Sequence, residues 1–162
     1  GFIARPDGGL DWLEHDAGDD DYGYAAFVAG VDVLVMGRAT FETVAAFDGP
    51  WPYQVPVVVL STTMTEIPGV LADKARLMRG APTEVLAGLA ELGHAEVYLD
   101  GGATVQRFIA AGLVNQLIIS TLPILLGQGR RLFGSLSADV RLSLTGCEAF
   151  ASGLTQVRYK VL

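Results

Sequence analysis

Three short stretches of the chain carry residue types suited to holding an anion. They are Gly37-Arg38-Ala39-Thr40, Ser61-Thr62-Thr63 and Asp100-Gly101-Gly102-Ala103-Thr104. In the third, two glycines let a ligand approach the backbone closely, and a helix behind them would aim its unpaired N–H groups and positive dipole end at the turn. A pyrophosphate suits that place, although a plain tight turn uses the same glycines. Arg38 opens a helix, where a guanidinium is poorly placed for the dipole. It can grip a phosphate bidentately or simply lie in solvent. The hydroxyls and N–H groups of Ser61-Thr62-Thr63 either cap a turn or hold a 2′-phosphate. A strand end serving an unphosphorylated ribose carries Asp or Glu, so hydroxyls there favour NADPH over NADH. Asp100 is the candidate acid of the set, and its simpler role is to fix the glycine turn.

Other reactive residues read more plainly. His15 and His94 fall in loop-like segments far apart in sequence, which suits surface residues better than a catalytic pair. Met36, Met64 and Met78 read as packing residues. The single cysteine, Cys147, allows no intrachain disulfide and reads as a small buried residue. Asp19-Asp20-Asp21 reads as a solvated helix start, and no metal site is expected. The Gly-x-Gly-x-x-Gly dinucleotide fingerprint and the Lys-bearing phosphate loop are both absent.

The elements that must position these residues follow from periodicity and punctuation. Phe2-Ile3-Ala4 reads as the end of a strand begun upstream, so the N-terminal strand is expected to be truncated. Arg5-Pro6-Asp7-Gly8-Gly9 is a turn. A helix over 22–28 ends at Gly30. Val31–Met36 and Pro56–Leu60 are apolar strands of the kind buried in parallel sheets. The first turns into a short helix through Ala46. A short strand falls near Ala75–Met78, a helix over Thr83–Leu92 with Gly93 as its stop, and a strand over Glu96–Leu99. A helix over Ala103–Ala111 is stopped by Gly112, and Gln116–Leu122 is another apolar strand. Gly127–Arg131 is a loop. The tail alternates at Val140, Leu142 and Leu144, then at Leu154, Val157, Tyr159 and Val161, which predicts an antiparallel hairpin around Ala151-Ser152-Gly153. Repeated strand–helix units imply parallel pairing. The class is α/β: a three-layer α/β/α sandwich whose mostly parallel sheet ends in a C-terminal antiparallel hairpin, formed as one domain over 1–162.

Composition narrows the function. A chain of 162 residues suits one domain. With 51% apolar and 18% charged residues, it is built to fold rather than to stay disordered. Mean hydropathy is high, +0.40, yet the apolar runs are too short for a helical span of about 20 residues. A formal net charge of −7 argues against nucleic-acid binding, which needs a basic face. No signal peptide is visible, so a cytoplasmic protein acting on a small molecule, with no membrane partner, is expected.

The order of these motifs resembles the dihydrofolate-reductase-like fold. The chain is most similar to the reductase (C-terminal) domain of the bifunctional riboflavin-biosynthesis deaminase-reductase and its stand-alone relatives. The matching stretches are Gly1–Arg5 with Gly9-Leu10-Asp11-Trp12, Val35–Glu42, Val58–Ser61, Leu99–Ala103, Gly112-Leu113-Val114 and Pro123–Gly129. The resemblance implies NADPH as cofactor, with Gly37 in its site and Arg38 and Thr40 holding phosphates. Ser61 and Thr62 would lie near the adenosine 2′-phosphate, and Gly101, Gly102, Ala103 and Thr104 would cradle the pyrophosphate. The loop Ala4–Trp12, through Ala4, Gly9 and Leu10, would lie over the nicotinamide. It implies homodimers as well, because family members commonly pair.

The chain also departs from the family. The Ser-Leu-Asp that usually precedes Gly-Phe is not in this sequence, and Asn115-Gln116 stands where many relatives have Asp-Glu. The fused deaminase with its zinc motif is absent. No residue matches the pterin-binding carboxylate of true dihydrofolate reductase, so folate is not the first substrate expected. Two readings follow. One is an NADPH-dependent reductase, like the 5-amino-6-(5-phosphoribosylamino)uracil reductase of riboflavin biosynthesis, acting on a small heterocycle or sugar-phosphate-like substrate. The other is a non-catalytic nucleotide-binding or regulatory module that keeps the fold.

Overall fold

Val33–Gly37 and Val57–Leu60 consist almost wholly of apolar residues, and in both strands every residue but the last is buried. Such runs demand cover on both faces, the condition of an interior parallel strand. The computed structural model describes residues 1–16 and 20–162 and meets that demand. In chain order its elements are β1 (Phe2–Ala4), α1 (Tyr24–Val28), β2 (Val33–Gly37), α2 (Arg38–Ala45), β3 (Val57–Leu60), β4 (Ala75–Met78), α3 (Pro82–Glu91), β5 (Val97–Asp100), α4 (Gly102–Ala110), β6 (Gln116–Thr121), β7 (Arg130–Arg131), β8 (Leu142–Ala149) and β9 (Thr155–Val161). The chain divides into two compact units: Tyr24–Arg107, and Gly1–Gly23 with Phe108–Leu162.

The first unit is built on a parallel sheet of order β4-β3-β2-β5. Its register sets Gly37 beside Leu60, Leu60 beside Met78, and Met36 beside Asp100. One face supplies Leu34, Met36, Val57 and Val59 to a core shared with Phe41 and Ala75, which Trp51, Tyr53 and Tyr98 flank. Residues of the other parity, Val33, Val35 and Val58, are equally buried, as period-2 alternation in a two-sided sheet requires. Asp32 ties the start of β2 to that of β5: its Oδ2 accepts the N–H groups of Ala95 (2.8 Å) and Glu96 (2.9 Å). α3 begins where Glu84 accepts the Ala81 N–H (2.6 Å), and it ends at Gly93, whose φ of +84° is that of a helix-terminating glycine.

The second unit holds the antiparallel pair β1-β7 and the antiparallel sheet β6-β9-β8. The C-terminal hairpin is present, and it takes β6 as a third strand. β6 follows α4 as a further parallel strand would, but only two of its six side chains, Leu117 and Ile119, are even partly buried. That alternation suits an antiparallel strand with one open face. Arg130 and Arg131, expected in a loop, pair with β1, and the Arg131 guanidinium lies 5.8 Å from the Phe2 ring centre.

Two further expectations are corrected. The helix over 22–28 starts only at Tyr24, because the Asp20 and Asp21 carboxylates accept the Tyr22 and Gly23 N–H groups (2.8 and 2.9 Å). Such side-chain turns compete with helix, and both residues take positive φ. Asp19 lies outside the described residues. Cys147 is exposed, not buried, because β8 is a sheet-edge strand with seven of its eight residues open to solvent. Among the described residues no helix is long and apolar enough to cross a membrane.

Candidate functional site

The sheet order places the first unit's four carboxyl ends side by side. The chain runs from β2 to β3 to β4, then returns to lay β5 against the free side of β2. The direction of winding therefore switches between β2 and β5, and at such a point the turns diverge and leave a crevice for a ligand. Three of these ends each deliver one of the segments singled out by residue type. Arg38 follows β2, Ser61 follows β3, and Gly101 follows β5.

A fourth group was missed by the sequence reading. Arg79 directly follows β4, and Arg107 lies in the last turn of α4. With Arg38, Ser61, Thr62 and Thr63 they line a cleft of about 340 Å³. Three guanidinium groups on one cleft of a chain with net charge −7 make a local anion-attracting field. Nothing in the local sequence marks Arg79 or Arg107, since only the β3–β4 pairing and the α4 path bring them to Ser61. Arg79 donates to the Met64 carbonyl (3.0 Å), and Arg107 donates to that of Gly80 (3.4 Å). Arg38 donates to Glu42, one helical turn on, at 2.9 and 3.2 Å. A roomier cavity of about 420 Å³ lies in the other unit, but its only charged residues are Asp139 and Arg141.

The Ser61 hydroxyl oxygen is committed to its own turn, accepting the N–H groups of Thr63 (3.2 Å) and Met64 (2.9 Å). Thr62 and Thr63 stay exposed beside it. Gly37 gives α2 no side-chain cap, so the N–H groups of Arg38, Ala39 and Thr40 precede its hydrogen-bond ladder. In α4 the first internal bond runs from the Val105 N–H to the Gly101 carbonyl (3.0 Å). The N–H groups of Gly102, Ala103 and Thr104 thus lie ahead of that ladder too. Gly101 has φ +86°, and a Cβ there would collide with the Thr40 Oγ1. Any other residue at that turn is both strained and crowded.

Asp100 ends β5 beneath the turn. Its Oδ1 accepts the Gly101 N–H (2.7 Å), and the Tyr53 hydroxyl lies 3.5 Å from its Oδ2. Burial holds this carboxyl above the ordinary carboxylate range, against the opposing pull of the two hydrogen bonds. Its charge acts on the phenols of Tyr53, Tyr98 and Tyr24, and each is raised, first by burial and then by the Asp100 charge.

Ala4, Gly9 and Leu10 belong to the other unit. Ala4 is buried at the end of β1. Gly9 closes the Arg5–Gly9 turn, its carbonyl accepting the Arg5 N–H (2.9 Å) and its N–H reaching Asp7 Oδ1 (2.9 Å). The Leu10 carbonyl accepts the Leu13 N–H (2.9 Å).

The architecture is one seen before. Dihydrofolate reductase from Enterococcus faecalis, solved with NADP(H) and RAB-propyl, superposes with a TM-score of 0.62 at 18% identity over 98% of this chain and 89% of that one. This likeness defines a dihydrofolate-reductase-like α/β fold. Within it the chain belongs to the RibD C-terminal domain family, which residues 1–156 match. A Shewanella sp. PV-4 protein, provisionally named for riboflavin biosynthesis, has a crystal structure similar to this one at TM-score 0.95. The two are 41% identical over 100% of this chain and 93% of that one. The uncharacterized protein YwjB of Bacillus subtilis (strain 168) is 30% identical over 160 residues, covering 98% of this chain and 90% of YwjB. Membership of this family supports a reductase-like role.

Proposed function

We propose that this chain is an NADPH-dependent reductase that delivers hydride to a small heterocyclic or sugar-phosphate-like substrate of the riboflavin-precursor kind. The observation that carries this reading is the alignment of four parallel strand ends, which gathers Arg38, Arg79 and Arg107, the Ser61–Thr63 hydroxyls and the N-termini of α2 and α4. That donor set fits a dinucleotide with an extra phosphate. The three arginines, Thr62 and Thr63 would hold the 2′-phosphate. The N–H groups at the starts of α2 and α4 would hold the pyrophosphate, with Gly101 supplying the close approach. NADPH, when bound, supplies the hydride.

Reduction of a C=N or C=O group also requires a proton. Asp100 is suited to hold one, because burial favours its neutral form. Its Oδ1 is occupied by the Gly101 N–H, which leaves Oδ2 as the oxygen that carries the proton. The family relation and the NADP(H) bound by the E. faecalis neighbour support the same reading.

Steady-state NADPH oxidation against a panel of aminopyrimidine, pterin and carbonyl substrates tests it. Turnover on a member of the panel that falls in Asp100→Asn is the expected outcome. Tight NADPH binding without turnover on any of them would make the chain a binding module instead.

A further inference from the structure

Tyr53 sits in Pro52-Tyr53, far along the chain from Asp100, yet its hydroxyl is the side-chain group that meets the Asp100 carboxyl. The placement is tied to the core. The Tyr53 ring meets Trp51 edge-on, with centroids 5.3 Å apart and planes at 77°. Trp51 in turn packs on Phe41, a fully buried residue of α2, at 5.9 Å. Pro50 and Pro52 bracket Trp51 and fix their own φ. This aromatic ladder anchors the hydroxyl to the sheet core rather than to a loose loop.

We infer that Tyr53 is a positioning residue for Asp100, holding its carboxyl so that Oδ1 faces the Gly101 N–H and Oδ2 is the oxygen that exchanges the proton. The chemistry follows from the two partners. The Gly101 N–H can only donate, so it keeps a proton off Oδ1. A phenol can donate or accept. Its O–H donates to Oδ2 while Asp100 is ionised, and its oxygen accepts from Oδ2–H once the carboxyl is neutral. Tyr53 thereby serves both protonation states without moving its ring. The groups acting on Asp100 can be named element by element: the Gly101 N–H from the start of α4, Tyr53 from the segment before β3, Tyr98 from β5 itself and Tyr24 from α1. Of the three phenols only that of Tyr53 is hydrogen-bonded to the carboxyl among the described residues. At 3.5 Å the bond is long for O–H···O, so its effect is modest.

This inference rests on the reductase reading only for its catalytic meaning, because the carboxyl can be titrated in the cofactor-free protein. The experiment is a carboxyl-carbon NMR titration of Asp100 in the wild type, Tyr53→Phe, Tyr24→Phe and Tyr98→Phe. Losing a donor to the ionised form raises an acid's pKa. The expected result is an upward shift of about half a unit in Tyr53→Phe, less than the roughly one unit or more that a hydrogen bond of ordinary length to a charged group is worth, with clearly smaller shifts in the other two variants. An unchanged titration in Tyr53→Phe, or an equal shift in all three, would overturn it. Should Tyr53→Phe fail to fold, 3-fluorotyrosine placed at position 53 keeps the shape while strengthening the donor. It is expected to move the Asp100 titration downward, and no movement would overturn the proposal. A clear Tyr53 effect in a protein that fails to bind NADPH would retire the reductase reading and leave the pairing intact.

Discussion

Thr40 rests its hydroxyl on Gly101, so closely that a Cβ at Gly101 would collide with it. The relationship is reciprocal. The Thr104 hydroxyl stands over Gly37, 3.1 Å from where a Cβ would lie. Both turns share one spacing, Gly37-x-x-Thr40 and Gly101-x-x-Thr104, and both follow neighbouring strands paired through Met36 and Asp100. Each threonine uses the space that the other turn's glycine leaves empty. The two helix N-termini thus pack closely at the point where the sheet changes winding direction.

Gly101→Ala should therefore be costly twice over. The positive φ alone is worth about 1–3 kcal/mol, and the collision with Thr40 adds to it. Thermal unfolding should show a Tm lower by about 4 °C or more for a chain of this size. Adding Thr40→Ala should recover part of the loss, the share due to the collision, and leave the backbone share. Strict additivity of the two changes would contradict the interlock.

The three arginines should divide the two nicotinamide cofactors. Arg38→Glu, Arg79→Ala and Arg107→Ala should each raise the Kd for NADPH by about tenfold, the worth of one charge-assisted contact. NADH should change by about twofold or less. The Arg38–Glu42 pair is half exposed on both sides and worth only about 0.3–0.5 kcal/mol, so a phosphate can displace it. Fluorescence titration reads all of these. Equal losses for both cofactors would remove the residue concerned from the 2′-phosphate.

Asp32 should make the fold sensitive to acid. The N–H groups of Glu96 and Ala95 hold its carboxyl below the ordinary 3.8. A folded-state pKa below the unfolded one gives stability that is complete above the unfolded value and lost as pH falls through the folded one. Urea unfolding between about pH 2 and pH 6 should show a shallower loss of stability on the acid side for Asp32→Asn than for the wild type.

Asp100 should behave in the opposite sense. Its pKa is raised by burial, so the fold prefers it neutral. The wild type loses stability as pH rises through that raised value, whereas Asp100→Asn does not. The stability difference in favour of the variant should widen from acid to neutral pH. A difference independent of pH would mean that Asp100 titrates alike in both states.

Much of this was legible in the sequence, for identifiable reasons. The Val-rich apolar runs Val33–Met36 and Val57–Leu60 give a buried parallel strand few alternatives, and Gly93 and Gly112 stop their helices by taking positive φ. The element order of the dihydrofolate-reductase-like fold was legible as well. The exposed Cys147 was not, because residue type speaks for burial while the edge position of β8 is set by its pairing. Arg79 and Arg107 were not, because the cleft joins residues that only the sheet order makes neighbours. Tyr53 was hidden for the same reason, its partner Asp100 lying on a distant strand.

Direct titration of the wild-type protein with NADPH and NADH tests most simply whether the strand-end cleft recognises a phosphorylated dinucleotide. NADPH is expected to bind with a Kd on the order of tens of micromolar or tighter, and NADH more weakly by about tenfold or more. Absence of NADPH binding in that range, or an equal or greater affinity for NADH, would contradict it.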